Sequence, residues 1–212
     1  TALLLGSGFG QEEATGQFLK ALLHPASHSR RAAIGFVGAQ GAKEEKEETG
    51  GRLPPLVVDA DGLKLLANME EWWQKLPAGN ILTPHPGEMS ILCGLPVAEI
   101  QKNRMEIARE KADRWGQVVV LKGALTVIAE PGGRLGVIPV ASPALARAGT
   151  GDVLAGMITG LRAQGAGAYE AAAAGAWIHA QAGLLAAEKV GHNASVLAGD
   201  VVEAIADVLS EL

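Results

Sequence analysis

The sequence predicts an α/β fold of three layers, in which a mostly parallel sheet carries helices on both faces. Short apolar runs alternate with amphipathic segments over most of the 212 residues, which is the pattern of parallel strands joined by helical crossovers. Glycine, with 28 residues, is about twice its usual ~7%, which indicates many tight turns. Hydrophobic residues make up 48% of the chain, and this is enough apolar surface to offset the ordering entropy and to exclude global disorder.

Strands are predicted where short runs are uniformly apolar or β-branched. They cover residues 1–5, 56–59, 81–82, 118–121, 125–129 and 135–140. Two prolines, Pro84 and Pro86, prevent the third strand from continuing. Because ligands of parallel sheets bind at the carboxyl ends of the strands, the residues that follow these runs are the first candidates for a site.

Helices are predicted from apolar residues at helical spacing. They cover residues 11–23, 61–76, 89–93, 99–115, 152–162, 169–189 and 198–212. Residues 171–187 carry no charge, but the stretch is short, mostly alanine and includes His179 and Gln181. A buried helix is therefore favoured over a membrane span, and no membrane partner is expected.

We expect residues 1–212 to form a single domain, with a loop insertion over residues 24–53 that includes the charged run at 43–48. The chain opens directly in an apolar strand, from which we expect that N-terminal strands of the native domain are missing. The pair His24 and His28 has a metal-like spacing, but Pro25 lies between them and no thiolate joins them. No protein metal site is expected.

Charge and cysteine content exclude further classes. The formal net charge of −5 lacks the basic footprint of a nucleic-acid binder. The single cysteine, Cys93, can form neither an intrachain disulfide nor a thiolate cluster, so a cytoplasmic location is expected.

The strongest motif is Ala-Gly-Thr-Gly-Asp at residues 148–152, where a helix is predicted to begin. The backbone N–H groups of Gly149, Thr150 and Gly151 would point out of the helix N-terminus and form an anion hole for a phosphate. Asp152 has two interpretations. It is a helix-capping carboxylate, or it is a general base that accepts the proton of an attacking hydroxyl while Mg²⁺ and the anion hole hold the phosphates.

A second glycine-rich turn, residues 6–10, lies between the first strand and the first helix. This is where a phosphate-binding loop belongs, but position 11 is Gln11 and no Walker lysine follows, so neither nucleotide fingerprint is complete. A plain tight turn and a close backbone approach to a ligand both stay open.

Polar residues at other strand ends also have two interpretations each. His85 is a ligand contact stiffened by its flanking prolines or an ordinary loop histidine, and Glu88 is a helix-start or a catalytic carboxylate. Lys122 meets a phosphate or lies at a hairpin corner on the surface. Asp59 and Asp61 fix a loop or help to hold Mg²⁺ through water.

In this order along the chain, these segments resemble the NAD(P)H-hydrate dehydratase family, the repair enzymes of the ribokinase-like superfamily. The Gly-Thr-Gly-Asp element alone indicates only a ribokinase-like protein, whereas Thr-Pro-His-Pro-Gly-Glu is much more specific to the dehydratases. The resemblance rests on residues 3–10, 57–63, 81–88, 119–124 and 149–156. It departs from the family at Ala148, where a second glycine is common, and at Ser142 and Pro143, where asparagine and proline are common.

The resemblance implies that ADP or ATP drives the dehydration of the S epimer of NADHX or NADPHX, the hydrated forms of NADH and NADPH. Asp152 would activate the hydrate hydroxyl for attack on the terminal phosphate, Mg²⁺ would accompany the nucleotide, and the phosphorylated hydrate would eliminate phosphate. Gly8, Gly10 and His85 would contact the hydrate with Asp152. The nucleotide site would be formed by Lys122, Gly123, Ala124, Leu125, Thr126 and Gly151.

The resemblance also implies partners, namely a homo-oligomer and a fused or separate NAD(P)HX epimerase. Two other functions remain open on the sequence. One is a small-molecule kinase of the same superfamily that acts on a vitamin-like alcohol, and the other is a nucleotide-binding domain without catalysis.

Overall fold

A six-stranded sheet forms the centre of the computed structural model, which describes residues 1–23 and 53–211. The strands lie side by side in chain order. The first four are parallel, the fifth is antiparallel to both of its neighbours, and the sixth runs in the direction of the first four. They are Leu3–Leu5 (β1), Leu56–Val58 (β2), Ile81–Leu82 (β3), Val118–Leu121 (β4), Val127–Ala129 (β5) and Leu135–Val137 (β6). The predicted mostly parallel sheet is therefore confirmed.

Helices connect the strands and complete the chain. The α-helices of the described residues are Glu13–Leu23 (α1), Ala60–Ala67 (α2), Pro86–Cys93 (α3), Val97–Lys102 (α4), Arg104–Trp115 (α5), Thr150–Ala163 (α6), Ala168–Val190 (α7) and Ala198–Ser210 (α8). Short 3₁₀ turns cover Trp72–Gln74, Pro143–Leu145 and Asn193–Ser195.

Two helix predictions were wrong in extent. The helix predicted over residues 61–76 ends at Ala67, because Trp72 turns into the core at 2% exposure and packs 4.9 Å from the Trp115 ring. The helix predicted over residues 99–115 is broken at Asn103, whose φ of −126° and ψ of 40° are not helical. Tertiary packing and one non-helical residue override a spacing that looked continuous.

The sheet is covered on both faces, as its apolar strands require. Side chains alternate along β2, so that Leu56 and Val58 join a core with α1 to α5, while Val57 joins one with α6 and α7. A third cluster packs α8 on α7. The sheet and the helices on its two faces are the three predicted layers.

None of the helices within residues 1–23 and 53–211 is long and apolar enough to cross a membrane. The interpretation of residues 24–53 as an insertion, and the pair His24 and His28, lie outside the described residues apart from residue 53. The single domain stays a prediction.

Candidate active site

The carboxyl ends of β2, β3 and β4 place Asp59, Thr83 and Lys122 next to one another. Lys122 Nζ lies 2.5 Å from Asp59 Oδ1 and 3.8 Å from Glu88 Oε2, and Thr83 Oγ1 donates to Asp59 Oδ1 at 2.8 Å. Asp59 and Glu88 are 1% and 4% exposed. Lys122 therefore compensates carboxylates that would be costly to bury alone, and this pairing is what the structure adds to the two sequence interpretations of Asp59.

Lys122 also lies beside the start of α6. A Cβ built on Gly151 would be 3.5 Å from Lys122 Nζ. The ammonium therefore faces the helix N-terminus as well as the strand-end carboxylates. An anion bound at that terminus would meet a cation there, so Lys122 is not simply a surface lysine.

The turn before α6 leaves backbone donors open. Gly149 adopts a φ of +86°, which favours glycine. Within residues 1–23 and 53–211, the N–H groups of Gly149, Gly151 and Asp152 have no hydrogen-bond partner, whereas the Thr150 N–H donates to Arg147 O at 3.3 Å. Of the three predicted donors, Gly149 and Gly151 are open and Thr150 is already used. The open N–H of Asp152 was missed.

The Asp152 carboxylate is exposed and accepts no hydrogen bond from the described residues. A capping carboxylate at this position would bond a backbone N–H of the first turn. The capping interpretation thus has no contact to support it, and the carboxylate is free for a ligand beside the open donors.

A pocket of about 530 Å³ opens beside this turn, between α6, α7 and the antiparallel end of the sheet. Its lining is mostly apolar, with a few polar groups, as is usual for sites that bind a small organic ligand. It is formed by Lys122, Gly123, Ala124, Thr126, Ile138, Val140, Ala141, Ser142, Pro143, Leu145, Ala146, Thr150, Gly151, Leu154, Ala176, His179 and Ala180. Of the predicted nucleotide contacts, Leu125 alone is not in this lining.

The loop after β4 is held by Arg104, which the sequence analysis missed. Its guanidinium donates to Leu121 O at 2.8 Å and to Lys122 O at 3.2 Å. Gly123 has a φ of +144°, and a Cβ there would lie 3.2 Å from the guanidinium nitrogens. Partial burial of Arg104 lowers its pKa. Leu125 in the same loop adopts a φ of +60° and is exposed.

His179 of α7 was also missed as a site residue. It is 7% exposed, and its Nε2 lies 2.9 Å from Thr150 O. Burial, with the nearby Lys122 ammonium, lowers the pKa of His179 to about 4, so the ring is neutral near pH 7. The only sequence signal was a histidine in the uncharged stretch at residues 171–187.

His85 begins α3 as its N-cap. Its Nδ1 accepts from the N–H groups of Gly87 at 3.0 Å and Glu88 at 3.2 Å, and Glu88 Oε2 accepts from His85 N–H at 2.8 Å. Glu88 is therefore the helix-start carboxylate, and its other oxygen lies 3.3 Å from His85 Nε2. The half-exposed ring is oriented by the helix, and its ligand contact stays a prediction.

The turn at residues 6–10 is packed against α2. A Cβ on Gly6 would lie 1.9 Å from Asp59 O. The Gly10 N–H donates to Asp61 Oδ2 at 3.2 Å, so Asp61 fixes this loop, and Lys64 lowers the pKa of Asp61. Gly8 is exposed, with a φ of +73° and open space around it.

In sequence, the chain is similar to hydrate-repair enzymes. The sequence model described as NAD(P)H-hydrate dehydratase matches residues 38–207. A bifunctional NAD(P)H-hydrate repair enzyme from Moorella thermoacetica is 46% identical over 158 residues, which are 74% of this chain and 30% of that protein. An ADP-dependent (S)-NAD(P)H-hydrate dehydratase from Neisseria meningitidis is 42% identical over 153 residues, 71% of this chain and 51% of that protein.

Structural comparison agrees. The crystal structure of an ADP/ATP-dependent NAD(P)H-hydrate dehydratase from Bacillus subtilis, co-crystallised with ATP/Mg²⁺, superposes with a TM-score of 0.75 at 29% identity. The match covers 99% of this chain and 64% of that one. The chain spans between 30% and 51% of the length of the two curated relatives above.

Proposed function

The chain belongs to the NAD(P)H-hydrate dehydratase family, and we propose that it dehydrates the S epimer of hydrated NADH and NADPH with ADP or ATP as phosphoryl donor. One arrangement carries the proposal. Lys122 and Gly151 line a pocket of about 530 Å³ and lie beside each other. The open N–H groups of Gly149 and Gly151 and the exposed Asp152 carboxylate belong to the same turn at the start of α6. The similarity to NAD(P)H-hydrate dehydratases supports this substrate, and the arrangement at the start of α6 supports phosphoryl transfer.

The nucleotide occupies the pocket, and its phosphates point to the start of α6. Apolar walls such as Val140 and Leu154 suit the base, and the segment 122–126 lines the opening. The terminal phosphate meets the open N–H groups, the positive end of α6 and Lys122. These donors are fixed before the reaction, which is the condition for stabilising charge in a phosphoryl-transfer transition state.

Asp152 then accepts the proton of the hydrate hydroxyl while the hydroxyl oxygen bonds to the terminal phosphorus. The bond from that phosphorus to the nucleotide breaks, and AMP leaves when ADP is the donor, or ADP when ATP is. The phosphorylated hydrate loses inorganic phosphate and a proton from the neighbouring carbon, which restores the reduced nicotinamide. Phosphate is a far better leaving group than hydroxide, which is why a nucleotide is consumed.

Mg²⁺ is proposed to arrive with the nucleotide. The described residues contain no group of three or more His, Cys, Asp or Glu side chains that could hold a metal ion. Asp59 and Glu88 already pair with the Lys122 ammonium, so the ion would be held mainly by the oxygens of the nucleotide phosphates. When bound, the ion neutralises negative charge on the phosphates.

Further elements of the proposal rest on the family. The hydrated dinucleotide contacts Gly8, Gly10 and His85, and Leu125 completes the nucleotide loop. An NAD(P)HX epimerase, fused or separate, supplies the S epimer, in keeping with the bifunctional name of the Moorella relative. A homo-oligomeric state and a cytoplasmic location are proposed with them.

The test is to incubate the chain with the S epimers of NADHX and NADPHX, with ADP, with ATP and without nucleotide. We expect reduced nicotinamide to reappear only with nucleotide, in step with one inorganic phosphate. A stable phosphorylated product would instead identify a kinase, and tight nucleotide binding without turnover would identify a non-catalytic domain. The Neisseria enzyme, assayed in parallel, is the positive control.

A further inference from the structure

His179 is a buried histidine for which the reaction above has no use. It lies in the middle of α7 and contacts the first residue of α6 through Nε2, 2.9 Å from Thr150 O. A carbonyl oxygen only accepts hydrogen bonds, so Nε2 carries the proton and donates. The neutral ring therefore has one tautomer, with hydrogen on Nε2.

The hydroxyl, N–H and carbonyl groups of Thr150 all form hydrogen bonds within the protein. Its hydroxyl lies 2.7 Å from Leu145 O and 2.8 Å from Arg147 O, its N–H donates to Arg147 O, and its carbonyl accepts from His179. No polar group of Thr150 is left over for a ligand. It is an anchor between two residues whose N–H groups are open, Gly149 and Gly151.

The carbonyl of Thr150 and the N–H of Gly151 belong to one peptide unit. That unit is planar and trans, so the two bonds point in opposite directions, and fixing the oxygen fixes the N–H. The helix bond from the Leu154 N–H holds the same oxygen. His179 adds a second bond at a helix end that frays readily and where Gly151 has no Cβ to limit rotation.

We propose that His179 is a positioning residue, which aims the Gly151 N–H at the phosphate by holding the Thr150 carbonyl. This role depends on the proposed function only for the identity of the anion, which is a phosphate of the nucleotide. A neutral imidazole suits the place, since burial beside Lys122 lowers the pKa of His179 to about 4. The ring adds a donor without adding charge to the phosphate site.

The test compares His179→Gln, whose side-chain amide can reach the same carbonyl, with His179→Leu, which has no donor. Ile178→Val, a buried change on another side of α7, is the control for lost packing. Affinities for ADP and adenosine are measured by calorimetry. We expect His179→Leu to weaken ADP about tenfold and adenosine less than about twofold, because only ADP carries the phosphates. His179→Gln and Ile178→Val stay within about threefold of the parent for both ligands.

An equal loss of ADP and adenosine affinity would show that His179 is only a wall of the pocket. A loss that Gln does not restore, or a parent chain that binds ADP no better than adenosine, would also overturn the proposal. If His179→Leu fails to fold, long-range ¹H–¹⁵N spectra of the parent decide, because a ring protonated on Nδ1 alone contradicts it. An ADP effect without NADHX turnover would refute the proposed reaction and leave this role standing.

Discussion

Two glycine-rich turns of the chain, at residues 6–10 and 149–151, join a loop or strand to a helix. The first packs against other parts of the protein, and the second leaves backbone N–H groups open. In the first, Gly6 lies against α2, where a Cβ would be 1.9 Å from Asp59 O. The Gly10 N–H is used by Asp61. Gly6 allows packing, and Asp61 anchors the loop.

In the second turn the backbone faces outward. The N–H groups of Gly149 and Gly151 have no partner in residues 1–23 and 53–211, and a Cβ on Gly151 would meet Lys122 Nζ at an ordinary 3.5 Å. Glycine here provides access for a ligand. The number of glycines is similar in both turns. What distinguishes the second turn is that its open N–H groups lie at the N-terminus of α6, beside the Lys122 ammonium.

The largest difference between the turns is expected from their carboxylates. Asp152→Asn should lower kcat about 10²- to 10⁴-fold, the usual value of a general base, with ADP affinity within about threefold of the parent. Asp61→Asn, the matching change in the first turn, should leave kcat within about threefold, because Asp61 bonds only protein groups. Steady-state kinetics and calorimetry check both. Similar kcat losses in the two variants would remove the distinction between the turns.

Alanine substitutions at Gly6 and Gly8 should show which glycine of the first turn is required for close packing. Gly6→Ala is expected to lower the free energy of unfolding by about 3 kcal/mol or more, because backbone must move to admit the Cβ. Gly8→Ala has open space and a φ of +73°, and it should lose only about 1 kcal/mol. Urea unfolding measures both. Equal losses would mean that the close approach of Gly6 to α2 contributes little.

As the pH is lowered, the second turn should lose stability before the first turn does. The pKa of His179 is lowered from 6.5 to about 4, so the unfolded chain binds more protons between these values. Stability therefore falls as the pH is lowered through this window, by about 3 kcal/mol in all. The first turn depends on Asp61, whose pKa is lowered from 3.8, so its contribution is present above that value and is lost below it.

Unfolding free energies of the parent and of His179→Gln, measured from pH 7 to pH 4, check this expectation. The difference between them should change by about 3 kcal/mol, while effects of carboxylates common to both proteins cancel. A constant difference would mean that His179 titrates alike in the folded and unfolded chains.

The fold was predictable because its signals are local. Apolar runs such as Val118–Leu121, which are short and rich in β-branched residues, predict buried strands. The failures lie where distant packing decides. The 3₁₀ turn at Trp72–Gln74 exists because Trp72 meets Trp115, a contact that spacing along the chain does not reveal.

The site was predictable only in part, for a related reason. Strand ends of a parallel sheet meet at one edge, so Lys122 could be placed near the other strand-end residues. His179 and Arg104 could not be found, because each bonds backbone carbonyls, which carry no signature in the sequence. Anchors of this kind become visible only once the chain is folded.

Gly151→Ala gives the smallest expected difference between the two turns. It should weaken ADP binding while the free energy of unfolding stays nearly the same. Alanine suits a helix better than glycine, and its Cβ would meet Lys122 Nζ at 3.5 Å, so stability should stay within about 1 kcal/mol of the parent. The Cβ would nevertheless be in van der Waals contact with the Lys122 ammonium, in the space where we propose that the phosphate binds. ADP affinity should therefore fall about tenfold, with adenosine unaffected.

Gly156→Ala is the matched control, since Gly156 lies in the same helix, is exposed and has nothing within 4 Å of an added Cβ. It should keep the parent's ADP affinity while showing the same stability effect. Calorimetry of both variants decides between two uses of Gly151. If they bind ADP equally well, the added Cβ does not obstruct the phosphate, and the space beside Gly151 is not part of the anion site.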